Sequence, residues 1–303
     1  MEEFEYETDI NALKEAGKVS REALDYAREA AKPGRKLLDL ANDIERFIKG
    51  KGFDFAFPIN LSINSDAAHY TPKFNDEKTF SDGDVLKVDL GARKGDTMVD
   101  CAETFDTSGK NAKMIDTCSS ALNAAVSMVK SGRKLCDIGK EVERISKASG
   151  FNPIRNLGGH GVAKGELHAE IFVPNYDNGD DTELREGQVI AVEVFITDGD
   201  GYVKDGNEVE IFRKFPTNGP MGRGADARRA CGIMDSKYSS YPFALRWLVN
   251  EMDSEFKARV AVKELSALGV VEEYPVLVER SNGIVAQLEK TLVVEKDSCI
   301  VIT

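Results

Sequence analysis

Apolar positions recur at three- and four-residue spacing through residues 10–31, where Leu13, Ala16, Val19, Ala23, Leu24, Ala27 and Ala31 mark one face of an amphipathic helix that Pro33-Gly34 ends. A second helix over 37–49 buries Leu40, Ala41, Ile44, Phe47 and Ile48 and stops at Gly50 and Gly52. The period then shortens to two. Residues 55–64 alternate around Pro58, which predicts an edge strand or extended loop leading into Ala68-His69-Tyr70-Thr71-Pro72. Residues 86–104 read as a β-hairpin with Lys94-Gly95 as its turn. Helices over 112–130 and 135–149 follow, parted by Ser131-Gly132. Aliphatic strands are predicted at 188–197 and 283–294. Between them, 205–272 changes character, with helical patterns at 226–249 and 252–268, the only Trp at 247, and a Met-Gly-Arg-Gly loop at 221–224. It reads as an insertion into the main domain. Two helices after two strands predict an α+β fold in which helices cover one face of a sheet.

The 303 residues allow one large domain or two small ones, with 42% hydrophobic residues to build a core. No run approaches the eighteen apolar residues or so of a membrane span, and the acidic start at residues 1–7 lacks the basic flank of a signal peptide. Five cysteines, odd in number and without a CxxC pair, fit reduced thiols better than a disulfide framework or a zinc knuckle. These features predict a soluble cytoplasmic protein. A net charge of −12 argues against a broad nucleic-acid footprint.

Four acids stand where acids are costly. A hairpin turn centred between residues 94 and 95 sets Asp89 directly opposite Asp100, with Cβ atoms about 4.5–5.5 Å apart. Glu193 and Glu289 each interrupt an otherwise aliphatic strand, where an unpaired charge is penalised. The chain has only three histidines. His160 lies in the glycine-rich stretch 156–162, His168 eight residues on, and His69 in the loop after the first strand. That stretch has neither phosphate-binding glycine pattern, so its glycines read as letting backbone approach a site closely. Asp89, Asp100, His160, Glu193 and Glu289 together suit hard or borderline divalent ions, and a charge of +4 from two of them cancels four carboxylates.

The order Asp, a second Asp eleven positions on, then His, Glu and Glu resembles the five metal ligands of the methionine aminopeptidase and prolidase superfamily, whose catalytic domain is called the pita-bread fold. Residues 57–64, 68–72, Gly159-His160, 167–169 and 241–247 are similar to the type II methionine aminopeptidases, and the chain is closest to the archaeal form. The resemblance implies a pita-bread domain over 1–204 and 273–303, an antiparallel sheet covered by helices, with an inserted helical, winged-helix-like subdomain over 205–272. It implies that Asp89 holds one metal, that His160 and Glu193 hold the other, and that Asp100 and Glu289 bridge them. Cobalt, manganese, iron and zinc all fit this donor set.

It further implies catalytic roles for His69, His168 and Glu193, with His69 and His168 flanking the scissile peptide and Glu193 moving a proton. Phe57, Leu167, Phe195 and Tyr274 are implied to line a methionine pocket. The implied activity removes the N-terminal methionine of nascent polypeptides when the second residue is small, by a monomer in transient association with the ribosome. An X-Pro peptidase of the same fold shares the ligands, and noncatalytic relatives of the fold lose them. Three departures accompany the match: Val194 stands where proline is usual, Lys290 replaces a histidine, and no histidine remains for the pocket. As the neighbour of Glu289 in a strand, Lys290 is expected to face away from it.

Overall fold

The computed structural model describes residues 9–219 and 221–303, so the acidic stretch 1–7 lies outside the described residues. Asp9 accepts from the Asn11 and Ala12 amides and starts α1 (Ile10–Ala30), whose predicted apolar stripe is buried. α2 (Leu37–Gly50) packs beside it. Short strands β1 (Asp54–Phe55), β2 (Asn60–Ile63) and β3 (Asp66–Ala68) precede β4 (Val85–Leu90), β5 (Ala92–Lys94), β6 (Thr97–Met98) and β7 (Cys101–Asp106). Next come α3 (Ala112–Met128), α4 (Leu135–Ala148), β8 (Asn152–Pro153), β9 (Gly158–Ala163), β10 (Glu166–Pro174), β11 (Val189–Thr197) and β12 (Val203–Lys214). The remaining elements are α5 (Ala225–Lys237), β13 (Phe243–Ala244), α6 (Leu245–Met252), α7 (Glu255–Ala267), β14 (Val271–Glu279), β15 (Val285–Val294) and β16 (Cys299–Val301).

Nine strands make one antiparallel sheet in the order β10, β9, β11, β15, β7, β4, β2, with β8 paired to β11 and β16 to β15. Alternation divides its faces. Leu86, Val88 and Leu90 of β4 join the cluster built on α1 and α2. Ile190, Val192, Val194 and Ile196 of β11 pack with Ala286, Leu292 and Val294 of β15 against α3 and α4. Burying each of these Val, Leu and Ile side chains contributes about 1.5–3 kcal/mol, which fixes the sheet's orientation. The intervening residues of the same strands, Asp89, Glu193 and Glu289 among them, are thereby turned to the other face. Helices do cover one face, as predicted. Lys290 alternates with Glu289 and is directed to the helix-facing side, as expected.

The hairpin differs from its predicted register. Lys94 pairs with Thr97 and Arg93 with Met98, so the turn is Gly95-Asp96, with Gly95 at φ +61°. Glycine at the first central position with positive φ is what a type II′ turn requires. Asp89 accordingly faces Ala102, and Asp100 sits one diagonal step away. Moving the turn centre by one residue shifts the partners by two, so both aspartates keep the same face.

The pattern read as one helix over 226–249 is two. α5 ends at Lys237, Ser239 takes a left-handed φ of +55°, and α6 starts only at Leu245. Pro242 between them bars its predecessor from helical backbone. α5, α6 and α7 share a separate cluster with Phe212 and Phe243. β12 had no predicted counterpart because Asp205-Gly206-Asn207-Glu208 interrupts its alternation, where the pairing with β14 slips. β13, β12, β14 and β3 form a second sheet, and β1, β5 and β6 a third. None of the helices among the described residues is long and apolar enough to cross a membrane. All five cysteines are free thiols.

Candidate metal centre

Strand register lines up the acids. Across the large sheet, Glu193 of β11 pairs with Glu289 of β15, Glu289 with Ala102 of β7, Ala102 with Asp89 of β4, and Asp89 with Asn60 of β2. The next transverse row, two residues along, runs from His160 of β9 through Ala191 to Thr291. Asp100 joins that row: its amide donates to Thr291 Oγ1 (2.8 Å), and the Thr291 hydroxyl donates back to the Asp100 carbonyl (2.8 Å). Alanines at 102 and 191 leave the space between the polar side chains open. Gly159 brings the histidine strand in, because a Cβ there would lie 2.2 Å from the Ala191 carbonyl oxygen. This is the close backbone approach read from the glycine-rich stretch.

Asp100, His160 and Glu289, all buried, each offer one ligand atom within 4.8 Å of the others. His160 Nε2 lies 3.5 Å from Asp100 Oδ2 and 3.8 Å from Glu193 Oε1. Its Nδ1–H donates to the Gly161 carbonyl (3.0 Å), which leaves Nε2 as the lone-pair atom aimed at the acids. Gln287 donates to Asp89 Oδ2 (3.1 Å) and Glu289 Oε2 (3.5 Å). Asp89 Oδ1, Asp100 Oδ1 and Glu289 Oε1 are buried with no protein partner. Burial, reinforced by the Asp100 carboxylate, drives Asp89, Glu193 and Glu289 well above the usual carboxylate range. Burial pushes His160 down, but Asp100, the Gly161 carbonyl and Asp89 together outweigh this and raise it. Crowded acids with orphaned oxygens and one lone-pair imidazole are the donor set that divalent cations fit.

A cavity of about 310 Å³ opens beside this cluster. Phe57, His69, Asp89, Asp100, His160, Leu167, His168, Glu193, Phe195 and Tyr274 line it. Glu289 is the one predicted site residue outside that lining, buried beside Asp100 and His160. His168 meets His160 edge-on with ring centres 4.3 Å apart, and burial together with His160 lowers its pKa to about 3. His69 sits at φ +65°, donates Nδ1–H to the Pro275 carbonyl (3.3 Å), and packs edge-on against Tyr274. Burial pushes its pKa down.

Sequence reasoning missed Asn60, Ala68, Asn156, Leu157, Gly158, Phe172, Ile211 and Pro242 in the lining. Asn60 carried a signal, being a polar residue in an alternating strand. Ile211 carried none, since the segment around it was not read as strand.

Residues 11–295 match metallopeptidase family M24. The chain belongs to that family. Among M24 relatives, it is 40% identical to the methionine aminopeptidase of Pyrococcus abyssi over 296 residues, 97% of this chain and 99% of that one. It is 40% identical to that of Archaeoglobus fulgidus over 291 residues, 96% and 97% of the two chains. Solved structures share the fold. A thermophilic Arx1 superposes with a TM-score of 0.84 at 20% identity, covering 97% of this chain and 90% of the other. The methionine aminopeptidase of Thermotoga maritima gives 0.71 at 22% identity, covering 98% of each. The prolidase of Pyrococcus furiosus gives 0.62 at 18%, covering 97% of this chain and 63% of that one. The M24 chain has the pita-bread fold, as the sequence resemblance implied.

Proposed function

We propose that this M24 peptidase removes the N-terminal methionine from polypeptides whose second residue is small. The names of its full-length relatives support this reading. The observation that carries it is the small cavity, part apolar and part histidine, seated directly on the acid cluster. Asp89 is assigned to one divalent ion, His160 and Glu193 to a second, and Asp100 and Glu289 to both. When bound, two such ions supply a water acidic enough to attack at neutral pH and a Lewis-acid hold on the scissile carbonyl.

The side chains do the rest. Phe57, Leu167, Phe195 and Tyr274 receive the unbranched thioether and exclude water from it. His69 orients the peptide nitrogen, and His168 donates N–H to the oxygen on which charge develops. Glu193 takes the proton of the attacking water and returns it to the leaving amine. The cavity of about 310 Å³ has room for a methionine side chain beside the acid cluster, which supports a site that receives the first residue of a peptide. The five free thiols support a cytoplasmic location, where nascent chains supply substrate. The shared α5–α7 cluster supports treating 205–272 as one inserted unit.

Protein stripped of metal and reloaded separately with cobalt, manganese, iron or zinc is assayed on Met-Ala-Ser and on an Xaa-Pro dipeptide. Turnover of Met-Ala-Ser alone is expected with at least one metal. Turnover of the Xaa-Pro dipeptide alone would overturn the assignment in favour of an X-Pro peptidase.

A further inference from the structure

Arg246 is 3% exposed, stands in the first turn of α6, and does not line the cavity. Its guanidinium reaches in two directions at once. Nη1 donates to Thr71 Oγ1 (2.6 Å) and to the Pro72 carbonyl (3.0 Å), while Nη2 donates to Glu45 Oε1 of α2. Glu45 also accepts from Trp247 Nε1 at 3.1 and 3.2 Å, so both its oxygens are held. Thr71 passes the restraint on by donating to the Ile59 carbonyl (2.9 Å), one residue before Asn60 in the row that contains Asp89.

His69 lies two residues before Thr71 and holds a left-handed backbone, which a non-glycine residue keeps only when its surroundings impose it. One side of His69 is fixed by Pro275. The other side is fixed through Thr71 and Pro72, and these end on a buried arginine paired with a partly buried glutamate.

We infer that Arg246, seated on Glu45, is a positioning residue that clamps the 69–72 loop and so sets the His69 imidazole against the substrate. The inference rests on the role given to His69 above. It makes α6 a working part of the catalytic apparatus across two elements distant in sequence. Lysine cannot replace the arginine, because the clamp uses a planar fork that serves the loop and Glu45 together.

The test uses the full-length, metal-loaded protein and the variants Arg246→Lys, Thr71→Val, His69→Ala and the Arg246→Lys/His69→Ala pair. With three histidines in the chain, the ring signals in a ¹H–¹⁵N spectrum are few enough to assign individually. Arg246→Lys and Thr71→Val are expected to lower kcat on Met-Ala-Ser by about ten- to a hundredfold, the cost of a small misplacement of a reacting group. KM and metal content stay near those of the parent, and only the His69 ring signals move. The double variant is expected to be no slower than His69→Ala, because the two changes remove one function.

Parental kcat with an unmoved His69 signal in both single variants overturns the clamp. So does a shift of all three histidines with loss of metal, which marks a general structural role. If Arg246→Lys does not fold, Thr71→Val decides by the same readouts. Parental turnover by His69→Ala overturns the role of His69 itself and the clamp's catalytic purpose with it. A slow His69→Ala beside fast Arg246→Lys and Thr71→Val refutes the clamp alone.

Discussion

Asp100 is the residue on which the centre turns. It is within 3.5 Å of His160, it raises the protonation range of Asp89, Glu193 and Glu289, and its own Oδ1 has no partner. Replacing it with asparagine removes the charge while keeping the shape. Asp100→Asn is expected to lose metal affinity by more than the roughly 10–100-fold that attends loss of a residue merely orienting a ligand, with activity nearly abolished. Unfolding should stay cooperative. Calorimetric titration with metal checks the first, and full turnover would remove Asp100 from the centre. His168 tests a different assignment. His168→Ala is expected to lower kcat by about 10²–10³, the scale for losing an oxyanion donor, while metal content holds. Equal loss of both would make it a ligand instead.

At the scale of elements, the loop that carries His69 is tied down at its far end by Asp76, which accepts from the Tyr70 hydroxyl and the Lys73 and Lys78 amides. Burial opposes ionisation of Asp76, but those donors outweigh it and hold the carboxyl below the usual range. A carboxyl depressed in the folded state contributes stability above its unfolded pKa and loses it as pH falls through its folded pKa. Asp76→Asn is therefore expected to cost about 1–2 kcal/mol at neutral pH, with the gap from the parent closing as pH falls below about 4. Urea unfolding at a series of pH values measures it, and a constant gap would refute the assignment.

Elements also show where the sequence was readable. Helices α1 to α4 and strands β11 and β15 were legible because burial on a single face imprints a strict period on each. The acids stood out as interruptions of that period. The register of the β4–β7 ladder was not legible, since Lys94-Gly95 and Gly95-Asp96 are equally good turn signals and only the folded chain chooses between them. The break at Pro242 was signalled by the proline itself but masked by the apolar pattern that continues on both sides of it. Ile211 entered the cavity lining through the pairing of β12 with β13 and β14, which no local pattern encodes.

For the molecule as a whole, the centre gathers side chains from β4, β9, β11, β15 and the residue just before β7, so it exists only in the folded chain. An ion bound there stabilises the native state over the unfolded one. Thermal unfolding is expected to shift upward as divalent metal is added to stripped protein, by about 2.7 kcal/mol when free metal reaches 100 times Kd. A chelator should reverse both the shift and the activity. An unfolding midpoint indifferent to every metal tried would argue that no ion sits at the cluster.

The direct pairing of Glu193 with Glu289 carries a lesson for refolding. Slippage of β15 past β11 by a single position would swing Glu289 toward the helices and leave a sheet that still pairs its backbone yet offers cations no home. Misaligned chains of this kind forgo the ionic reward that correctly aligned ones collect, and renaturation with metal present should therefore give a more homogeneous product than renaturation without it.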